Sequence, residues 1–208
     1  VKKNSGDNEE KGGGSMARQD RRVRYTKTVL RQSLLELMRT QPIEKITVKE
    51  ICLRADINRG TFYAHFASPH DLLMSIENEL YEEIRRSLDT NLTTEAISDL
   101  LLNIFELIEK NHDLCSVLFS EYGDKTFLRR IMFLAHDQSM QQWKARYPQA
   151  DPSYMEKVYT FVVSGCLGLL QDWIQNGMAT NRHDFVQIID QFIKTALGLL
   201  EKSKSSAE

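Results

Sequence analysis

The chain has 208 residues, 41% of them apolar and 27% charged, with a formal net charge of −2. That composition fits one large folded domain or two small ones and excludes an intrinsically disordered chain. No run approaches the roughly 20 apolar residues of a membrane span, and the N-terminal segment lacks the apolar core of a secretory signal, so a cytoplasmic protein is expected.

The charge is uneven. Met16 to Ser68 hold 11 Lys and Arg against 5 Asp and Glu, whereas Pro69 to Glu208 hold 13 against 21. A basic front on an acidic body points to an N-terminal module for a polyanion and a remainder with another task. Cys52, Cys115 and Cys166 are odd in number, far apart and in no C-x-x-C pair, which fits reduced, buried thiols and neither a disulfide framework nor a zinc site.

Along the chain, VKKNSGDNEEKGGGS (1–15) is polar and glycine-rich, and is read as a disordered leader or added tag. Apolar residues then recur at three and four with no sustained alternation, so the expected fold is all-α. Leu30, Leu34, Leu37 and Met38 mark a first helix that ends near Gln41-Pro42. Thr47 caps a second helix in a box with Glu50, and Val48, Ile51 and Ala55 form its buried stripe. Asn58 caps a short third helix through Phe66, and Ser68-Pro69 opens a fourth that runs to about Leu88. In the body, helices are expected over 95–110, 113–119 and 124–146, from Pro152 to near Gly177, and from about Asp184 to Leu200. Residues 203–208 read as a disordered tail. The count is about nine helices, with domains at 16–68 and 69–202.

Two short helices joined by a turn at Asp56-Ile57-Asn58, and braced by a preceding helix, are the parts of a helix-turn-helix. At about 100° per residue, Phe62 and Phe66 fall about 40° apart and define a buried side. Gly60 and Ala64 lie opposite. Thr61 and His65 flank this bare strip on one shoulder, Arg59 and Tyr63 on the other. Such a helix can bring its backbone close to a major groove while donors reach phosphates and base edges.

The stretch ITVKEICLRADINRGTFYAHFASPHDLL (46–73) resembles the DNA-binding domain of the TetR family of bacterial transcription regulators. The order of helices, and the segments FLRRIMFLAHDQSMQQW and FVVSGCLGLLQDWIQNGM, are similar to that family's effector domains. The resemblance implies a homodimer on an inverted-repeat operator, most often a repressor released by a small molecule. It implies phosphate or base contacts from Thr47, Asn58, Arg59, Gly60, Thr61, Tyr63 and His65. Arg24, Tyr25 and Lys27 would sit at the N-terminal end of the first helix, near phosphate or the minor groove. Two positions depart from the family pattern: Asp56 replaces a turn glycine, and His70 replaces a phosphate-binding lysine.

Candidate pocket residues in the body are Phe105, Phe119, Tyr122, Phe127, Phe133, His136, Trp143, Tyr154, Met155 and Tyr159. Tyr122, His136 and Tyr159 are read as its polar groups. No cationic residue belongs obviously inside, which favours a neutral or aromatic effector. Gly165, Gly168, Leu169, Trp173, Phe185, Ile188, Ile189 and Phe192 read as a dimer interface built from the last two helices. Three rivals were weighed. An enzyme would need more than the NHDLCS cluster, and no phosphate loop, metal-binding helix or nucleophile elbow stands in the chain, so no catalytic residue, metal or cofactor is expected. The second makes Cys115 a redox-sensing thiol. The third is a coactivator or an interaction protein controlled by a protein partner.

Overall fold

A computed structural model describes residues 12–91 and 97–202. Among the described residues there is no strand. Ten helices follow one another: α1 (Gly12–Met38), α2 (Val48–Ala55), α3 (Arg59–Tyr63), α4 (Pro69–Asn91), α5 (Ile97–Lys110), α6 (His112–Leu118), α7 (Lys125–Leu134), α8 (His136–Arg146), α9 (Pro152–Gln175) and α10 (Arg182–Lys202). A single 3-10 turn at Ile43–Lys45 lies between α1 and α2. The chain divides into two compact units, Val1–Ile76 and Glu77–Glu208. Helix α4 belongs to both.

In the first unit, Leu30, Leu34 and Met38 on α1 are wholly buried, as are Ile51 on α2 and Phe62 on α3. Their spacing of three and four puts them on one face of each helix. Ile43 and Ile46 seal the connection from α1 to α2, and Leu72, Leu73 and Ile76 close the core from the first turns of α4. Of the expected stripe on α2, Ile51 is buried while Val48 and Ala55 are half-buried, and Cys52 takes the remaining inward position. Arg54 pairs with Glu36 between α2 and α1, and this hydrogen bond holds the Glu36 carboxyl below its ordinary range.

Helix α1 begins at Gly12, inside the segment read as leader, while residues 1–11 and 203–208 lie outside the described residues. Arg24, Tyr25 and Lys27 therefore sit in the middle of α1 and not at its start. No proline or cap interrupts MARQDRRVRY, and adding residues to an existing helix costs far less than nucleating one.

The second unit contains α5 to α10 and the rest of α4, with α10 packed on both α5 and α9. Phe105 of α5 meets Trp173 of α9 and Phe185 of α10 at ring distances of 5.2 and 5.5 Å, and Trp173 stacks on Phe185 at 5.4 Å. The indole of Trp173 donates to the Thr180 carbonyl at 2.9 Å, so its one polar atom is satisfied in the core. A second cluster joins Met140 and Tyr147 to Met155, Val158 and Tyr159 and to Leu197 and Leu200.

The helix expected over 124–146 is divided at Ala135 into α7 and α8. Tyr159 Oη donates to the Met132 carbonyl at 2.7 Å, the acceptor that the His136 amide would use in an unbroken helix. Between α6 and α7 the chain turns at Gly123, where a Cβ would lie 1.9 Å from the Leu118 carbonyl oxygen, so no other residue fits without moving backbone. Gly177, at φ +68, ends α9 as expected.

Among the described residues, Glu77, Arg182 and Asp190 each leave a buried side-chain atom without a hydrogen-bond partner, and Glu77 is the one whose carboxyl is strongly shifted. Its side chain is buried, and Oε1 has no hydrogen-bond partner. Burial pushes its carboxyl from an ordinary 4.5 up to about 7; the Asp124 carboxylate adds to the shift and the Arg130 guanidinium opposes it. A carboxyl raised in the folded state binds its proton more tightly there than in the unfolded chain. Stability is thus lost as pH rises from about 4.5 through about 7. Glu77→Gln is expected to be more stable than the parent at pH 8, by roughly 1–3 kcal/mol, with the gap narrowing at pH 5. Thermal melts at the two pH values measure it.

Candidate nucleic-acid interface and internal cavity

The third helix has only five residues, so its ends and its anchors decide its position. Asp56 closes α2 in the left-handed region at φ 53 and ψ 46, the conformation the turn needs, and aspartate tolerates it better than most side chains. Asn58 then caps α3. Its Oδ1 accepts from the Thr61 amide at 2.8 Å and from the Thr61 hydroxyl at 3.1 Å. The helix ends at Tyr63, and a hydrogen-bonded turn carries the chain on to Phe66, whose amide donates to the Phe62 carbonyl at 2.9 Å.

Phe62 and Phe66 point inward, their rings 6.0 Å apart. Asn58, Arg59, Gly60, Tyr63 and Ala64 are exposed, and Thr61 and His65 are half-buried. Tyr63 stands 58% exposed, with Phe62 edge-on beneath it at 5.6 Å, so the buried ring supports the exposed one. At Gly60 an added Cβ would lie 3.2 Å from the capping oxygen of Asn58, which ties the bare strip to the cap as well as to any approaching surface.

Other candidate contacts are placed less simply. Thr47 is exposed, but its amide and hydroxyl both donate to Glu50 Oε2, at 2.8 and 2.7 Å. These bonds hold the Glu50 carboxyl below its ordinary range, and Thr47 has no donor left for a phosphate while the capping box is closed. Thr61 likewise has its hydroxyl on Asn58. His70 is exposed in the first turn of α4, beside a reciprocal cap in which the Asp71 amide donates to Ser68 Oγ at 3.1 Å and the Ala67 amide to Asp71 Oδ2 at 2.8 Å. Arg24, Tyr25 and Lys27 are all exposed on α1.

The second unit contains a partly open cavity of about 240 Å³. Of the ten candidate pocket residues, Phe105, Phe119, Phe127, Trp143 and Tyr159 line it. The other five do not. Phe133 points outward at 63% exposure, because the break at Ala135 turns that end of α7 toward solvent. Met155 and Tyr154 belong to the cluster under α8 and α10. Tyr122 sits in the turn after α6, its phenol pushed up by a hydrogen bond with the neighbouring Glu121 carboxylate.

His136 lies between two carboxylates, with Nε2 2.7 Å from Glu156 and Nδ1 2.9 Å from Asp137. The bond to Glu156, then that to Asp137, raises its pKa, and its ring packs edge-on to the outer side of Tyr159 at 4.9 Å. It ties α8 to α9 outside the cavity. The sequence reading missed Ile84, Leu100, Ile104, Ser139 and Gln142 as lining residues. For α5 the signal was the width of its apolar stripe, broader than one packing face requires.

On α9 and α10, the residues read as an interface divide in two. Trp173, Phe185 and Ile189 are buried within the chain, the first two against Phe105 of α5 and Ile189 at the floor of the groove between α9 and α10. Gly165, Gly168, Ile188 and Phe192 are exposed, and Leu169 is half-buried. Phe161 at 72% and Leu199 at 47% exposure extend this outward face. Phe161 lies four residues before Gly165, a spacing that the sequence already displayed.

Residues 32–76 match the family described as bacterial regulatory proteins, tetR family, and residues 95–195 that described as transcriptional regulator C-terminal region. The chain belongs to the TetR family of transcriptional regulators. A curated relative in Bacillus subtilis (strain 168), the uncharacterized HTH-type transcriptional regulator YvdT, is 25% identical to this TetR-family chain over 132 residues. The match covers 61% of each protein, less than two thirds of the relative's length. Two solved structures share the fold. A TetR transcriptional regulator from Streptococcus agalactiae 2603V superposes with a TM-score of 0.60 at 21% identity, over 86% of this chain and 98% of its own. The fatty acid degradation regulator FadR from Bacillus halodurans gives 0.61 at 16%, over 85% and 98%. Among the described residues, no helix is long and apolar enough to cross a membrane, and no cluster of three His, Cys, Asp or Glu side chains could hold a metal ion.

The Asn58 cap is the most economical point to perturb in this TetR-type head. Asn58→Ala removes the acceptor of two hydrogen bonds and is expected to cost about 1 kcal/mol of stability, read as a lower denaturation midpoint with an unchanged slope.

Proposed function

We propose that the chain is a homodimeric repressor that binds an inverted-repeat operator through α3 and is released by a small uncharged effector held in the cavity of the second unit. The observation that carries this reading is the division of α3: Phe62 and Phe66 are buried as anchors, while Gly60 and Ala64 form an exposed bare strip beside the exposed Arg59 and Tyr63. A groove admits such a face closely, and the exposed Arg59 and Tyr63 side chains then reach base edges and phosphates. Exposed Arg24, Tyr25 and Lys27 on α1, and His70 on α4, add phosphate contacts that weaken with salt. Because its donors serve the capping boxes, Thr47 supports the interface by holding α2 in place.

Dimerisation uses the outward face of α9 and α10. Phe161, Ile188, Phe192 and Leu199 are too large and too exposed for a lone subunit, and a groove of about 390 Å³ between the two helices supplies room for a partner's side chains. Exposed Gly165 and Gly168 let a second copy approach closely. Helix α4 runs through both units, so an effector that favours one packing of α4 against α5 and α7 changes the separation of two heads. That separation must be near 34 Å or a multiple for adjacent major grooves. The apolar cavity favours a small-molecule effector over control by a protein partner. Such a protein works in the cytoplasm.

Operator selection from genomic fragments tests the reading directly. Tyr63→Ala is expected to weaken binding to all selected sequences about equally, and Arg59→Ala to relax preference at particular base pairs by about 1–3 kcal/mol. Normal folding with unchanged binding in both variants would sink the docking scheme. For the dimer, Phe192→Asp is expected to give a monomer by light scattering at micromolar concentration, with its far-ultraviolet dichroism unchanged.

A further inference from the structure

The cavity is long as well as apolar. On α9 its lining runs from Tyr159 through Val162, Val163, Cys166 and Leu167 to Leu170, a span of about 16 Å at 1.5 Å per residue. On α5 it runs from Ile97 to Ile108, the same length. A long, apolar lining of this kind suits an extended molecule. An apolar cavity of about 150 Å³ holds a benzene-sized molecule, so this one holds about ten non-hydrogen atoms.

Its two ends differ. The Tyr159 end meets α8, since Trp143 lies 6.0 Å from Tyr159, and there Ser139 and Gln142 line the wall. Separated by three residues, these two share one face of α8. The Leu170 end meets α6, where Gln171 donates to the Phe119 carbonyl at 3.1 Å and the lining is Phe119, Phe105 and Ile108. One end therefore carries a hydroxyl and an amide, and the other is hydrocarbon apart from the Cys115 thiol. Among the described residues, no Asp, Glu, Lys, Arg or His belongs to the lining. Its acidic groups stay neutral: burial pushes the Cys166 thiol up to about 11 and the Tyr159 phenol up to about 12, and that phenol is already committed to Met132. An ionised ligand would enter with no counter-charge and several kcal/mol of desolvation against it.

We infer that the cavity takes an uncharged, unbranched medium-chain lipophile, with a hydrogen-bonding head such as an alcohol, aldehyde or ketone at Ser139 and Gln142 and its chain running along α9 toward Phe119. The inference rests on reading the cavity as the effector site, and the two can fail separately.

The test is calorimetry on the full chain at pH 8 with four probes of equal chain length: 1-decanol, n-decane, decanoate and decylamine. 1-Decanol is expected to bind most tightly, decanoate and decylamine more than tenfold more weakly, and n-decane between them. In Ser139→Ala/Gln142→Leu, 1-decanol loses its advantage over n-decane while n-decane binds as before, which also shows that the variant folds. Decanoate or decylamine binding as tightly as 1-decanol overturns the uncharged class and leaves the cavity as a ligand site. An alcohol advantage that survives the double substitution overturns the placement of the head. Failure of all four probes to bind overturns the reading of the cavity as an effector site, and the inference with it.

Discussion

Everything the head can do depends on Phe62. A five-residue helix has no stability of its own, because nucleation costs more than so few hydrogen bonds return. Helix α3 exists where it does because Phe62 is wholly buried in the core of the first unit and Phe66 follows it one turn later. Asp56 and Asn58 set the angle of entry, the first through a left-handed turn and the second through its side-chain cap. With the anchors inward, helical geometry leaves Gly60 and Ala64 outward, without any further instruction. The exposed face is the complement of the buried one.

The body follows a different rule. Its helices are long enough to be stable as amphipathic packing elements, but their apolar faces are wider than two neighbours can cover. In the α5–α9–α10 corner the excess is filled by the Phe105, Trp173 and Phe185 rings. Between α4, α5 and α9 it is left as the cavity. The hydrogen bond from Tyr159 to Met132 lies at the break between α7 and α8, beyond which Ser139 and Gln142 line the cavity while Phe133 turns out.

Much of the head was legible in the sequence because its signals are local. The Thr47–Glu50 box, the Asn58 cap and the Phe62/Phe66 spacing each involve residues within four positions of one another, and each formed as read. The body was less legible. His136 and Tyr159 lie 23 positions apart in sequence and meet edge-on, and which of them faces the cavity depends on Glu156 capturing the histidine from the next helix. Likewise Trp173 and Phe192 look alike on α9 and α10, yet one stacks inside on Phe185 and the other stands exposed. A helical wheel places residues on faces, but not which face meets a neighbour.

By itself the sequence determined an all-helical chain with a basic helix-turn-helix at its front, since propensity, capping and periodicity act over a few residues. Only the tertiary structure decided that the body holds an elongated apolar cavity, that half of the expected pocket residues lie outside it, and that Phe161 joins the outward face of α9. Those outcomes depend on how wide apolar faces from distant helices divide a shared interior, and that division is made by packing between elements.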